Sequence, residues 1–526
     1  MFSVTFAIVV LFFSIVYYYF KSKYFTLYGP IPGIPPHFMF GNLLHCAFLL
    51  PGAGSIPDVF LYMRERFGDV YQLWLGSKRM IMINCLEDAQ HIFSHRLIYD
   101  QGDVFTKNLK IINPHGVICL KGAKFKRHAS FTAPLFRRAK ILVHFNTITE
   151  CTDKLLDRWR TQYKDPNEVH LDMIEQSQQL LLGIFGLIAF DYDLQTLEEN
   201  SGNNKHELTE AFHSFLNTMQ IVLQLPTLLA RIFWFLNFKA RRARTVIDRY
   251  VNEMIEHELN SSLEMRSERK RTSFIASLVT SLQVDEKAEG AKPEEEKKGR
   301  LFEIKSIILL IASEYIGLSR VEVMSEMIGF LGAGYGTTST SLIWFIYFMS
   351  KNPQIQNQIK KELAEYNGQR ISHEQLDSLV YLECVLRELL RLVGPALGTV
   401  RTLTTDDKLP ASGFELRKGE SVMISFYALA RDKRYWSDLY DLNEFHPERF
   451  LYDTEHRNNL SALMAFGGGH RQCMGQDLAR LELKLICARL MQFVSFGDGG
   501  NEVNSGGYDV ANVNKPKKIG VTVRFD

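Results

Sequence analysis

Residues Met1–Phe20 hold no charged side chain and are filled with Phe, Ile, Val, Leu and Tyr. In a bilayer every backbone polar group must find its partner inside the segment, so such a run can only be a helix. Twenty helical residues rise about 30 Å, the thickness of a hydrocarbon core. Tyr17, Tyr18 and Tyr19 fall where an aromatic belt lies, and Lys21 and Lys23 follow at once, which favours a cytoplasmic body. A cleaved signal peptide would want a basic residue ahead of the run and a small-residue cleavage site. Neither is present. A single-pass anchor over 1–20 is expected, followed by a stiff hinge over 21–42 that contains Tyr28-Gly-Pro-Ile-Pro-Gly-Ile-Pro-Pro36, because prolines fix φ and disfavour helix before them.

The rest of the chain must bury a core. Of 526 residues 46% are hydrophobic, and 61 Lys plus Arg against 59 Asp plus Glu leave a net charge of +2. That composition excludes full-length disorder and argues against a dedicated nucleic-acid binder. Cysteines stand at 46, 85, 119, 151, 384, 473 and 487 with no C-x-x-C spacing, which fits neither a disulfide framework nor a structural zinc site and points to a reducing compartment. Helical periodicity dominates from about 55 to 500, as in Asp58–Phe67 and Glu150–Tyr163. Short β-like runs occur at Val70–Leu75, Met80–Asn84, Gly413–Leu416, Ser421–Ser425 and Ile519–Phe525. The expected class is mainly α with a minor β-sheet. Met219–Phe238 is apolar but interrupted by Pro226 and Arg231, so it reads either as a shallow membrane contact or as core. Asp285–Arg300 reads as a solvated loop or insertion, extending to the apolar run Leu301–Ile316.

The chemistry concentrates in Phe466-Gly-Gly-Gly469-His-Arg471-Gln-Cys473-Met-Gly475, which runs into an amphipathic helix from Gln476 to Met491. A cysteine on a Gly-rich loop at a helix N-terminus meets free N–H groups and the helix dipole, which favour thiolate over thiol. Three glycines remove side-chain bulk and let a flat cofactor approach the sulfur. Arg471 can pair with an anionic group on that cofactor. A core cysteine and a phosphate-cradling loop are the alternatives; the second wants a strand before the loop and a lysine or serine after it.

The pattern F-x-x-G-x-R-x-C-x-G resembles the haem-ligand loop of the cytochrome P450 family, microsomal eukaryotic type, and the resemblance spans roughly residues 28 to 526. It implies a cytochrome P450 fold over 43–526 behind the transmembrane helix. It further implies a haem (iron-protoporphyrin IX) with Cys473 as axial metal ligand and Phe466, Arg471 and Gly475 beside it. A thiolate ligand pushes electron density toward bound oxygen and favours O–O cleavage. Glu388-Leu-Leu-Arg391 places acid and base on one helical face. By resemblance it joins Arg449 of Pro447-Glu-Arg449-Phe450 in a structural network that braces the cysteine loop. Arg401, after Pro395, resembles the family's residue that reaches a haem propionate.

Val321–Ser350 contains Gly332-Ala333-Gly334-Tyr335-Gly336-Thr337-Thr338. Each interior glycine costs a helix about 0.5–1 kcal/mol, so the cluster needs an explanation. The resemblance supplies one: the long helix over the haem, locally distorted, with Ala333 and Gly334 leaving room for O2 and substrate and Thr337 organising proton delivery. The chain departs from the family at Gly336, where an acid is usual, and at Phe125 and Ala129, where W-x-x-x-R is usual; Lys126, Arg127 or His128 are the candidates to replace that pair. Lys121–Lys140 carries seven basic residues and no acid, which fits docking of an acidic reductase or an ordinary solvated face.

The leading expectation is a membrane-anchored monooxygenase of the endoplasmic reticulum, its catalytic domain facing the cytoplasm. It would insert one oxygen atom of O2 into a lipophilic substrate, with electrons from NADPH–cytochrome P450 reductase and cytochrome b5 as a second donor. Nucleic acid is not an expected partner. Pocket walls are expected at Phe105–Leu120, Phe330–Thr337, Ala396–Val400 and Ser505–Tyr508. Gly336 keeps a second reading open, a reductase-independent hydroperoxide or endoperoxide isomerase or dehydratase. A non-catalytic haem-binding membrane protein is the third.

Overall fold

The computed structural model describes the chain apart from Met1, Met39, Gly54, Ser77, 199–206, Leu263, 265–268, 270–272, 291–316, Asp438, 453–456, 505–507, 511–513 and Lys517. It divides into two compact units, one built from Met1–Thr106, Ala396–Glu444 and Asp453–Gln472, the other from Lys107–Pro395, Phe445–Tyr452 and Cys473–Asp526.

The first unit opens with the helix Phe2–Tyr24, which ends on Lys21 and Lys23. Within it Thr5–Tyr24 is long and apolar enough to cross a membrane and none of it is buried. Prolines offer no N–H, so side chains hold the hinge: Gln72 Nε2 donates to the Tyr28 carbonyl at 3.0 Å and the hinge's own Asn42 Nδ2 to that of Ile34 at 3.0 Å. The unit's sheet contains β1 (Val70–Leu75), β2 (Lys78–Ile83), β3 (Tyr99–Gln101), β4 (Gly398–Leu403) and β7 (Ser421–Ser425), in the order β1-β2-β7-β4-β3. Only the β2–β7 pair is parallel. Arg401 of β4 lies opposite Gln101 of β3. β5 (Asp407–Lys408) and β6 (Glu415–Leu416) form a separate short ladder.

The second unit is mainly helical. Its centre is the helix Arg320–Lys351, opened by a capping box in which the Ser319 hydroxyl accepts from the Glu322 N–H and the Glu322 carboxylate accepts from the Ser319 N–H. Val323, Met327, Leu331, Thr338, Leu342, Phe345 and Met349 are all buried, so apolar residues surround this helix as they do any helix in the middle of a core. Met173–Phe185, Val380–Val393 and Gln476–Phe493 belong to the same cluster. The run Met173–Phe190 is also apolar enough to span a membrane, but 72% of it is buried, which marks it as core. The unit closes with β8 (Val494–Asp498) antiparallel to β11 (Val521–Phe525), and β9 (Tyr508–Val510) antiparallel to β10 (Asn514–Pro516).

Met219–Phe238 is interrupted at Pro226, between the helices Glu207–Gln224 and Thr227–Leu236; ten helical residues rise about 15 Å, half a hydrocarbon core, which keeps the shallow contact and the core as the two readings. The second piece keeps an exposed apolar face, with Leu228 and Phe235 among its most exposed residues. One expectation changes. The expected loop from Asp285 begins as helix instead, because Phe274–Gly290 runs through it. Asp, Glu, Lys and Ala are tolerated in a helix and no breaker stands before Gly290. Residues 291–316 lie outside the described residues.

Candidate active site

In the first unit, Gly467 and Gly469 adopt φ of 72° and 67°, a left-handed backbone that side chains disfavour. A Cβ on Gly468 or Gly469 would collide with Phe93, at 2.5 Å from its ring and 2.2 Å from its carbonyl oxygen. At Gly468 and Gly469 the missing side chain makes room for Phe93. Phe466 is half-buried. The short helical turn Gly469–Arg471 then delivers Arg471 to Asp100, whose Oδ1 accepts from both Nε, at 3.0 Å, and Nη2.

Arg401 is 3% exposed, and among the described residues no carboxylate forms an ion pair with it. Its Nη1 donates to Thr399 Oγ1 at 2.6 Å and the Val400 carbonyl at 3.0 Å, while the buried Nη2 has no partner. Burial and repulsion from Arg471 lower its pKa to about 10, against attraction from Asp100. A buried guanidinium in this state is a receptor for an anion.

In the second unit, Cys473 stands two residues ahead of Gly475, the N-cap of the helix Gln476–Phe493. Its side chain is exposed by area, whereas desolvation by the surrounding protein pushes the thiol above its ordinary value. The Gly475 N–H opposes that rise and Asp477 adds to it. Desolvation thus works against the thiolate that the helix N-terminus favours. Gly475 meets only the Phe136 ring, at 3.6 Å from where a Cβ would sit.

The same unit brings Glu388, Arg391 and Arg449 together. Arg391 binds Glu388 with Nε at 2.7 Å and Nη2 at 2.8 Å, both side chains being fully buried. Arg449 Nε lies 3.6 Å from Glu388 Oε1, which also accepts the His446 N–H at 3.1 Å.

On the helix Arg320–Lys351, assigned as α-helix throughout, Thr337 Oγ1 donates to the Ala333 carbonyl at 2.8 Å, and the hydroxyls of Thr340 and Ser341 turn back onto the carbonyls of Gly336 and Thr337. These back-bonds bend a helix without breaking it. Ala333 is exposed. A Cβ on Gly334 would sit 2.9 Å from the Phe185 ring, so this glycine makes room for Phe185. Gly336 has nothing within 4 Å of a built Cβ.

The helix Gly122–Thr132 bears Phe125 and Ala129. Two of the proposed replacements are engaged elsewhere: Arg127 pairs with Glu322 and donates to the Gly317 carbonyl at 2.9 Å, and buried His128 lies 2.5 Å from Glu326 and 3.1 Å from Glu322. Sequence reasoning missed Asp100 altogether, since no motif marks it. The β3–β4 pairing sets it beside the strand of Arg401, and the turn Gly469–Arg471 brings Arg471 to it.

In the first unit an orphaned buried arginine nitrogen suits a haem propionate, and in the second a desolvated, accessible thiol suits its iron. The cytochrome P450 family model matches residues 31–519. The chain is 24% identical to cytochrome P450 734A1 of Arabidopsis thaliana, covering 90% of this chain and 86% of that one. It is 25% identical to cytochrome P450 3A17 of Cavia porcellus, over 89% and 85%, and 24% to cytochrome P450 4V2 of Mus musculus, over 85% and 81%. The chain belongs to the cytochrome P450 family. It is accordingly a monooxygenase whose cofactor is haem held by an axial cysteine thiolate.

Proposed function

We propose that Cys473 is the axial ligand, that Arg401 and Arg471 receive the haem propionates with Phe466 and Gly475 packing beside the cofactor, and that the enzyme oxidises a lipophilic substrate while anchored in the endoplasmic reticulum membrane. The observation that carries this reading is Cys473 itself, the only one of the seven cysteines whose side chain is exposed, set between an arginine and a helix. Haem bound through a thiolate supplies the chemistry that splits O2 and transfers one oxygen atom. The protein's own part is positional. Gly475 N–H steadies the sulfur. Thr337 holds a hydroxyl proton that rotation away from the Ala333 carbonyl can redirect, and Ala333 keeps the adjoining surface low. With Gly336 in place of an acid, proton delivery runs through Thr337, Thr338 and water. Glu388, Arg391 and Arg449 act structurally, bracing the fold.

In this reading 1–20 is the anchor, 21–42 the hinge and 43–526 the catalytic domain, facing the cytoplasm. The apolar face of Thr227–Leu236, followed by Lys239, Arg241 and Arg242, suits contact with the bilayer surface. Electrons come from the membrane NADPH–cytochrome P450 reductase, with cytochrome b5 as a second donor. Of the basic stretch, Lys124, Lys126, Arg137 and Arg138 are exposed and suit docking.

The test compares the reduced, carbon monoxide-bound absorption spectrum of the wild type with that of Cys473→Ser. A thiolate signature in the first and its loss in the second is expected. The same ligation in both would sink the assignment. NADPH-dependent O2 consumption on adding the reductase checks the electron route.

A further inference from the structure

Asp100 lies in the first unit, on β3, and takes no part in the function described so far. It is an acid among arginines: Arg471 binds its Oδ1 through two nitrogens, the Gln101 N–H donates to the same oxygen at 2.7 Å, and His470 Nε2 lies 3.9 Å away. Burial would raise its pKa, but His470, the Gln101 N–H and Arg471 outweigh that and hold it well below the carboxylate range, so Asp100 stays anionic. Its charge is also felt by Arg401, whose guanidinium it stabilises without touching.

Two buried arginines on separate elements therefore share one carboxylate. Arg401 retains an unpartnered nitrogen, and Arg471 is 4% exposed with Asp100 as its ion-pair partner. A cofactor carboxylate approaching Arg471 meets a guanidinium already engaged by an anion of the protein's own. Two carboxylates on one guanidinium repel each other, and each weakens the hold of the other.

We propose that Asp100 is a built-in counter-anion which the haem propionate must share Arg471 with, so that Asp100 loosens the porphyrin and lowers the reduction potential of its iron. This rests on the haem reading above. The potential follows from charge: reduction adds negative charge to the iron, and a fixed anion in a low-dielectric surrounding opposes that addition. Asp100 is in these terms a positioning residue, acting through Arg471.

The experiment uses the full-length haem protein, first checked for its thiolate signature. In Asp100→Asn the midpoint potential should move upward. Transfer of haem to excess apomyoglobin should slow by roughly tenfold, the value of one charge-assisted hydrogen bond. Asp100→Glu, which keeps the charge, should stay near the wild type in both. Haem dimethyl ester, which lacks propionate charge, should erase the difference in retention between wild type and Asp100→Asn. Far-UV circular dichroism confirms folding, and Asp100→Ser serves as the neutral variant if Asn does not fold. An unchanged potential together with unchanged or faster haem loss would overturn the inference while leaving the thiolate reading intact. A wild type without the thiolate signature would overturn both.

Discussion

Two buried arginines set the terms for the rest of the molecule. Arg391, in the second unit, faces Glu388 through two hydrogen bonds of 2.7 and 2.8 Å, and neither side chain has any exposure. Arg401, in the first, is buried almost as deeply, but its acceptors are a hydroxyl and a neighbouring carbonyl, and one nitrogen has none. The cost of burying a cation is the same in kind at both places. At Arg391 the protein meets it internally, which is the mark of a structural element. At Arg401 it leaves part of the cost standing, which is reasonable only if an anion from outside completes the site.

Substitution should separate the two. Removing the partner, Glu388→Ala, leaves Arg391 uncompensated in the core and should cost about 3–5 kcal/mol, seen as failure to accumulate folded protein or as a collapsed denaturant midpoint. Removing the unmatched cation, Arg401→Met, should leave the haem-depleted protein within about 1 kcal/mol of the wild type, or above it. Haem retention should instead fall by roughly tenfold in transfer to apomyoglobin. Equal losses of stability in both variants would show that Arg401 is structural as well.

A third buried cluster titrates. His128 is 1% exposed, and burial lowers its pKa, but Glu322 and Glu326 outweigh this and raise it above the ordinary 6.5. A histidine with a raised folded pKa stabilises fully below 6.5, and that contribution is lost as pH rises through the folded value. Burial raises the Glu326 carboxyl in the same site, against the pull of His128, and a raised carboxyl shifts stability in the same direction. Melting temperature should therefore fall as pH rises from 6.5 through the folded value of His128. His128→Gln should flatten that limb. A wild-type profile already flat from pH 6 to 8 would deny the cluster its charge.

Sequence legibility followed the same line between local and non-local causes. The strands Val70–Leu75 and Ser421–Ser425 were readable as short β-like runs, and the central helix as a long apolar run, because those signals are local. Glu388 and Arg391, three residues apart on one helix, were readable as a pair for the same reason. Asp100 was not, since its meeting with Arg471 spans 371 positions. Arg127 and His128 were visible as charges, but their partners across the core were not, so the expectation that one replaces the missing propionate contact could not be tested before the fold was known. Pro226 shows the converse: a breaker read locally did end its helix.

The smallest contrast lies within one motif. Gly334 and Gly336 look interchangeable in Gly-Ala-Gly-Tyr-Gly, yet a Cβ at the first would lie 2.9 Å from the Phe185 ring and at the second would meet nothing within 4 Å. Alanine improves a helix interior over glycine by about 0.5–1 kcal/mol where space permits, and overpacking costs about 1–3 kcal/mol where it does not. Gly336→Ala should thus raise the melting temperature by a few degrees or less, and Gly334→Ala should lower it. The open space at Gly336 also means that the family's usual acid is missing for chemical rather than steric reasons. Gly336→Asp should fold, and it should direct more of the NADPH consumed into product and less into hydrogen peroxide by giving Thr337 a proton donor beside it. A stable Gly336→Asp protein with unchanged partition would indicate that Thr337, Thr338 and water already deliver protons fast enough.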